Sequence, residues 1–390
     1  MKTIKLGSLI TISKGKKHTI TDMPSSQSKR VLGIDDLRND TLIRMTDDQG
    51  GVLACENDVL IAWDGANAGT IGYGKQGYIG STISRLRLHD KSKFYTPFIG
   101  IFLQSNFNYL RKTSTGATIP HISRNALESI LIPVFEYGDQ IRIATLLSKV
   151  ENLISRRREQ LKQLDELLKS VFLEMFGDPV RNEKGWDILP FHQVGHFVSG
   201  GTPSKKRADY WDGNFPWVSP KDMKVSKIED AEDHIAESVF EETTLKRITP
   251  NHLLIVVRGM ILVHSFPVAI NTVDIAINQD IKAIKPIQRL NVVYLQSCIN
   301  ALKRKILKLI STAGHGTRKF DSIAMHKLYI PTPPIDLQNQ FADIAEKFEG
   351  IKSRYQQSLK EFENLYGILS QKAFKDELDL SRVPTACRRG

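Results

Sequence analysis

Residues 116–133 read GATIPHISRNALESILIP, and residues 314–331 read GHGTRKFDSIAMHKLYIP. The second stretch lies 198 positions beyond the first, and the same offset pairs Pro133 with Pro331, Gln140 with Gln338, Ala144 with Ala342 and Lys149 with Lys347. It runs on without a gap through Ser155-Arg156 and Ser353-Arg354, and Leu161-Lys162 and Leu359-Lys360, as far as Phe176 and Phe374. A gap-free self-match of this length marks an internal duplication. Each copy is predicted to be a globular domain followed by a long helix.

The helices are written in the spacing of apolar residues. From Ile143, steps of four and three meet Leu147, Val150, Ile154, Arg157, Leu161, Leu164, Leu168, Val171 and Met175, nine of the ten apolar. The matching positions are Phe341, Ala345, Phe348, Lys352, Tyr355, Leu359, Phe362, Tyr366, Leu369 and Ala373, again nine of ten apolar or aromatic. A repeat of 3.5 residues held over several heptads is the seam of a coiled coil. The competing reading is a core-facing stripe in one compact domain; two matched helices far longer than average favour the seam. Arg157 and Lys352 interrupt the stripes, as register-setting residues or as cations whose stems pack while their heads reach water. Prolines precede both helices, and Gly177-Asp178-Pro179 ends the first. Some 36 residues at 1.5 Å each make a rod of roughly 54 Å.

Between the helices the texture changes to short β-branched runs broken by Gly, Asp, Asn and Pro, as in residues 52–63, 82–88, 253–257 and 275–284. Helical patterns there are few, chiefly residues 97–111 and 292–310. The openings echo each other: Leu6–Gly15 reads LGSLITISKG and Phe191–Gly201 reads FHQVGHFVSGG. The fold class is therefore α+β: two mixed α/β domains, residues 1–135 and 179–335, separated by two long coiled-coil helices, residues 136–178 and 336–380, with a loose tail at 381–390. The whole is a pseudo-two-fold internal repeat.

Composition narrows the function. Across 390 residues, 54 Lys+Arg oppose 43 Asp+Glu, a formal charge of +11, which favours a polyanionic partner, nucleic acid first. Cys55, Cys298 and Cys387 stand far apart, with no disulfide framework, which fits a reducing cytoplasm. No run of 18 apolar residues spans a membrane, and the N-terminus lacks the apolar core of a signal peptide.

Catalytic motifs fail on inspection. Gly72–Gly77 matches GxGxxG, but a strand-like stretch follows where a helix should receive a pyrophosphate, so a Gly-rich β turn is the better reading. Gly69–Lys75 approaches a P-loop, but Gln76 stands where the Mg²⁺-binding Ser or Thr belongs. Asp178-Pro179-Val180 and Thr332-Pro333-Pro334-Ile335 both lack parts of the (D/N)PP(Y/F) loop of an adenine methyltransferase. The ten histidines show no HExxH spacing. The chain reads as a non-enzyme with no metal or cofactor site of its own.

Reading DNA needs donors and acceptors at base edges and cations on the flanking phosphates. The turn-rich segments supply candidates. In the first domain they are Lys14, Lys16, Lys17, Arg38, Arg85, Arg111, His121 and Arg124. In the second they are Thr202, Ser204, Lys205, Lys206, Arg207, Lys221, Arg258, His315, Arg318 and Lys319. Any one of these alone is more often a solvated surface group; the clusters together with the duplication carry the hypothesis. Trp63, Trp211 and Trp217 are read as core.

At this point the chain resembles the specificity subunits of type I restriction–modification enzymes. The likeness rests on Gly-Gly-Thr-Pro-Ser at 200–204, on the late loops that run to Ile132-Pro133 and Ile330-Pro331, and on Gln140-Ile-Arg-Ile-Ala144 and Gln338-Asn-Gln-Phe-Ala342 opening the helices. The first copy has Lys14-Gly15-Lys16-Lys17 in place of the GGTPS form. The resemblance implies that each is a target-recognition domain reading one half of a bipartite double-stranded DNA site, that the two long coiled-coil helices pack antiparallel with one domain at each end, and that they set the spacer. It implies docking of two methyltransferase subunits, which motor-nuclease restriction subunits can join. It also implies adenine methylation, with S-adenosylmethionine, ATP and Mg²⁺ held by those partners. The alternative of a different class is a coiled-coil interaction adaptor that binds no DNA.

Overall fold

The first globular domain is a chain of short strands: β1 (Thr3–Lys5), β2 (Ile10–Lys14), β3 (Lys29–Leu32), β4 (Arg44–Thr46), β5 (Leu53–Ala54), β6 (Asp58–Ala62), β7 (Ile71–Tyr73), β8 (Gly77–Ile79) and β9 (Ile83–Leu88). Three helices follow, α1 (Thr96–Ser105), α2 (Phe107–Lys112) and α3 (Arg124–Glu128), then β10 (Leu131–Pro133) and the long α4 (Tyr137–Phe176). The second domain holds β11 (Ile188–Pro190), β12 (Gly195–Ser199), β13 (Phe215–Val218), β14 (Lys227–Ile228), β15 (Asp233–Ile235), α5 (Val239–Glu242), β16 (Leu253–Val256), β17 (Val268–Asn271), β18 (Ala276–Ile277) and β19 (Ile281–Pro286). It continues with α6 (Val292–Leu309), β20 (Ser311–Thr312), β21 (Arg318–Lys319), α7 (Ser322–Lys327), β22 (Tyr329–Pro331) and the long α8 (Ile335–Phe374). The computed structural model describes residues 2–39, 42–116, 119–312, 316–381 and 383.

The duplication is visible in three dimensions. α4 and α8 are each 40 residues long and begin and end 198 positions apart, as do β10 and β22. The larger sheet of the first domain has strand order β2-β9-β6-β7; in the second domain the order is β12-β19-β16-β17, with β14 added at the edge. A smaller sheet places β3 parallel to β8 and antiparallel to β4, and its counterpart places β13 parallel to β18 and antiparallel to β15. The central strands β6 and β16 are buried at every position; β16 reads LLIV, and β6 is apolar after its first residue, Asp58. β9, reading ISRLRL, instead alternates between buried and half-buried residues after its first two positions, one face inward and one outward.

By contacts the chain divides into two compact units, Met1–Arg158 with Gln357–Gly390, and Glu159–Gln356. Each unit thus holds one globular domain and half of each long helix. In the first unit, Tyr366 donates to Glu151 (2.7 Å) and Arg158 to Glu363 (2.6 Å), so position rises on one helix as it falls on the other: the two segments run antiparallel. In the second, Lys352 meets Asp165 (2.9 Å) and the Phe172 ring meets Phe341 (5.5 Å between centroids), antiparallel again. The 3.5-residue stripes face inward. Ile143, Leu147, Val150, Phe341, Ala345 and Ala373 are buried, and the other stripe positions are half-buried among exposed neighbours. Of the two polar interruptions, Arg157 lies over the Phe362 ring (5.9 Å), and Lys352 is held between Asp165 and Glu349.

The last turn of each long helix is anchored by a phenylalanine. Phe176 packs on Tyr294 and Phe341 (4.7 and 5.5 Å between centroids), and Phe374 packs on Phe98 and Phe102 (5.9 and 4.9 Å). Full burial of such a side chain contributes about 1.5–3 kcal/mol. Gly177, at φ +77°, ends α4 in the left-handed region, and its amide bonds the Leu173 carbonyl (2.8 Å). The next orphan carbonyls are met by Lys184 at Glu174 and Met175, and by the Trp186 indole at Phe176 (2.9 Å). Among the described residues no helix is long and apolar enough to cross a membrane.

Candidate nucleic-acid interface

Two joints in each unit position the loops. The first is a buried glutamine in the opening turn of each long helix. Gln140 accepts from the Tyr95 amide (2.9 Å) and donates to the carbonyls of Lys93 (2.8 Å) and Phe135 (3.0 Å). Gln338 accepts from the Asn291 amide (2.9 Å) and donates to the carbonyls of Arg289 (3.1 Å) and Pro333 (2.7 Å). Both side chains are fully buried, so each bond satisfies a group that water does not reach. The glutamine ties the helix start to the segment entering α1 or α6, and the helix cannot turn without moving the domain.

The second joint is a glycine at the end of β2 and of β12. A Cβ on Gly15 would lie 2.3 Å from the carbonyl oxygens of Ile79 and Gly80; one on Gly200 would lie 1.9 and 2.4 Å from those of Ile277 and Asn278. Only hydrogen fits at either place. Gly15 therefore does the work of Gly200, and the departure of the first copy from GGTPS begins one residue later. In the second unit the loop is braced further: the Trp217 indole donates to the Gly201 carbonyl (3.0 Å), Thr202 bonds Gln279, and Trp211 crosses Trp217 edge to face (5.0 Å). Trp63 packs against the core of its own unit.

In the first unit four of the candidate residues converge on the loop of residues 63–70. Lys14 pairs with Asp64 (2.8 Å), and the His121 ring nitrogen Nδ1 lies 2.6 Å from the same carboxylate. Arg38 donates to Asn67 (2.8 Å) and Thr70 (3.4 Å), and Arg111 donates to the Ala66 carbonyl. Partial burial pushes the Asp64 carboxyl up, but the hydrogen bonds from Lys14 and His121 outweigh it and hold the group below the usual carboxylate range. Lys14 and His121 keep about half their surface in water, 55% and 48% of the side chain. Lys16 and Lys17 are exposed. Arg85 lies apart, spending donors on the Leu53 carbonyl (2.7 Å) and Ser13 (3.2 Å), and Arg124 pairs with Glu128 along α3 (2.7 Å).

The same junction in the second unit is built on the same backbone bonds. Ile122 N to Trp63 O (2.9 Å) and Gly65 N to Pro120 O (2.9 Å) correspond to Phe320 N to Val257 O (2.9 Å) and Gly259 N to Arg318 O (3.0 Å). The bridge between Asp64 and His121 corresponds to one between Arg258 and Lys319. The equivalent of Asp64 is therefore Arg258, and the charge at the junction is reversed. Arg258 and Lys319 line a cleft with Gln279 and Lys282, beside the Phe320 ring. Lys282 donates to Ser199, which stands where the first unit has Lys14. Arg318 donates to Thr312 (2.6 Å).

Ser204, Lys205, Lys206, Arg207 and Lys221 do not line this cleft. Arg207 lies over Tyr210 (4.3 Å) and pairs with Asp209 and Glu242 (2.6 and 3.2 Å). Lys221 is held by Glu232 and Asp233 (3.0 Å each). Ser204, Lys205 and Lys206 are exposed on the loop that Trp211 supports through the Ser204 carbonyl (3.3 Å). His315 lies outside the described residues. Asp64, Gln279 and Lys282, absent from the candidates chosen by charge and loop position, are added by the structure. Among the described residues no group of three His, Cys, Asp or Glu is placed to hold a metal ion.

Comparison with known proteins fits this arrangement. The chain is 33% identical over 178 residues to the Type I restriction enzyme EcoR124I/EcoR124II specificity subunit of Escherichia coli, covering 45% of this chain and 44% of that one. It is 27% identical over 216 residues to the Type I restriction enzyme MjaVIII specificity subunit of Methanocaldococcus jannaschii, covering 51% and 50%. The matches thus span about half the length of those relatives. Its fold is shared with the type I restriction-modification system S subunit from M. genitalium (TM-score 0.59, 16% identity, 96% of both chains). It is shared also with a chain from a study of complex assembly and conformational transition of the type I R-M system (TM-score 0.53, 19% identity, 97% and 98% covered). The family model for the type I restriction modification DNA specificity domain matches residues 1–164 and again residues 183–362, one match for each copy of the repeat, and the chain belongs to that family.

Proposed function

We propose that this chain is the DNA-reading subunit of a type I restriction–modification complex, each of its two domains reading one half of a bipartite duplex site. The observation that carries this reading is the duplicated loop junction: two copies of one scaffold present their late loops and their glycine-anchored loops at the same strand ends, with different side chains. Equal scaffolds with unequal loops suit a split site with two different halves. The cations at the junctions would bind phosphates and the neutral donors base edges. α4 and α8, 40 residues each, would set the count of unread base pairs between the halves.

In this reading the chain is not itself an enzyme. Two methyltransferase subunits would dock on the helical region, bring S-adenosylmethionine and methylate adenine; restriction subunits would add ATP- and Mg²⁺-dependent translocation and cleavage. The test is selection of the full-length chain on a randomised duplex library, with affinity measured against salt. A split motif and a steep fall of affinity with salt are expected. Affinity that ignores both sequence and salt would leave only a protein-binding role for the helices.

A further inference from the structure

We infer that Arg258 is the guanine-reading residue of the second unit, and that its structural counterpart Asp64 is a positioning residue that reads no base. The inference rests on the DNA-reading function proposed above. Arg258 stands on a turn whose backbone is pinned on every side: Val257 N bonds the Asp280 carbonyl (2.8 Å), Phe320 N bonds Val257 O, and Gly259 N bonds Arg318 O. Gly259, at φ +137°, lets the chain turn there. The side chain is exposed, and among the described residues its guanidinium has no hydrogen-bond or ion-pair partner. It shares its cleft with Lys282, Lys319 and Gln279; Asp321 also lines it, its carboxylate taken by the Ser311 hydroxyl (2.9 Å) and the Ala324 amide (2.9 Å). A rigidly based guanidinium whose donors no described residue takes up, in a cleft with two lysines, matches the paired acceptors O6 and N7 of guanine in the major groove. The flanking lysines suit the phosphates on either side.

Arg207 and Lys221 offer the same charge but are already occupied by carboxylates, and Arg318 spends a donor on Thr312. Asp64 is the opposite case. Both its oxygens are engaged, by Lys14 and by His121, and only 16% of its side chain is exposed. What it offers the solvent is the two groups it holds. The first unit therefore presents an ammonium and an imidazole from a fixed carboxylate, where the second presents the guanidinium itself.

The experiment is motif selection on a randomised duplex library with the full-length chain and with Arg258→Ala and Arg258→Lys. The wild type is expected to select a split motif with a guanine in the half read by the second unit. Arg258→Ala should lose preference at that one base pair, with affinity for the wild-type motif down on the order of tenfold to a hundredfold. The other half of the motif should stay as it was. Arg258→Lys should not restore the preference, because an ammonium lacks the two-pronged fork. Restoration by lysine, or a uniform loss on all sequences with the salt slope reduced by about one, would make Arg258 a phosphate contact and overturn the inference. A split motif unchanged by either variant would also overturn it while leaving the proposed function intact; a wild type that selects no motif would remove both.

Discussion

At the start of α4 and at the start of α8 the two units match bond for bond. Each glutamine accepts from one amide and donates to two carbonyls at corresponding places. At the loop junction the backbone bonds again correspond, but Asp64 faces Arg258 across the repeat, and Lys14 faces Ser199. The two copies are thus alike where a helix is fixed to its domain and unlike where side chains reach solvent. A joint tolerates little variation because its partners are buried backbone groups. A loop tip tolerates charge reversal because water takes up what the protein leaves unpaired.

The most severe way to break the likeness is at the glutamines. Gln140→Leu takes from the Tyr95 amide and the Lys93 and Phe135 carbonyls their bonds to the buried side chain, at part-buried places. At about 1–3 kcal/mol for a fully buried stranded group, and less for these part-buried ones that water can meet, the first unit should lose on the order of 2–4 kcal/mol. Gln338→Leu should cost the second unit as much. Hydrogen exchange of the Tyr95 and Asn291 amides in the full chain reads each loss locally. Exchange that speeds up in one unit and not in the other would show that the joints are not equivalent.

A second comparison concerns the entrance to the central strands. Asp58 is buried and bonded by Arg87 through both carboxylate oxygens (2.8 and 2.7 Å). In the second unit His252 and Lys285 stand at these places, and His252 bonds the Thr249 carbonyl instead (2.7 Å). Burial pushes the Asp58 carboxyl up, but the bonds from Arg87 and from the Cys55 amide and thiol outweigh it, and the group titrates below its ordinary value. A carboxylate with a folded pKa below its unfolded one stabilises the fold fully above the unfolded value, and the contribution fades as pH falls through the folded one. On acidification below about pH 4 the first unit should therefore lose stability through this pair while the second has no counterpart. Arg87→Met, which strands a buried charge, should cost roughly 3 kcal/mol at neutral pH and abolish this acid dependence. Equal acid sensitivity of the two units by hydrogen exchange would argue against the pair as its source.

These contrasts were unequally legible from the sequence. The offset of 198 holds without a gap from Gly116 to Phe176, so both helices and the loops that feed them were visible as a repeat. The earlier strands match at other offsets, because β2 and β12 start 185 residues apart while β9 and β19 start 198 apart. Insertions between them hid the correspondence of Asp64 with Arg258. The glutamines stood out as a matched pair, but their three partners are backbone atoms, which side-chain patterns do not reveal. Charge and loop position gathered Lys14, Arg38, Arg111 and His121 without showing that they meet on one loop. The same criteria could not separate Arg258 from Arg207 and Lys221, since the acids that occupy those two come from elsewhere in the chain.

The smallest effect on stability, and the sharpest on the comparison, belongs to Asp64→Asn. Its partners are about half exposed, so the ion pairs contribute little, and the loss should stay within about 1 kcal/mol. What should change is order. Asparagine keeps the shape but loses the charge that holds Lys14 and His121, so both side chains should gain rotamers and the loop of residues 63–70 should exchange its amides faster. The second unit, whose junction has no carboxylate at this place, should be unmoved. If the first loop kept its protection, the backbone bonds at Trp63 and Gly65 would suffice alone. The two junctions would then differ in charge without differing in how they are held.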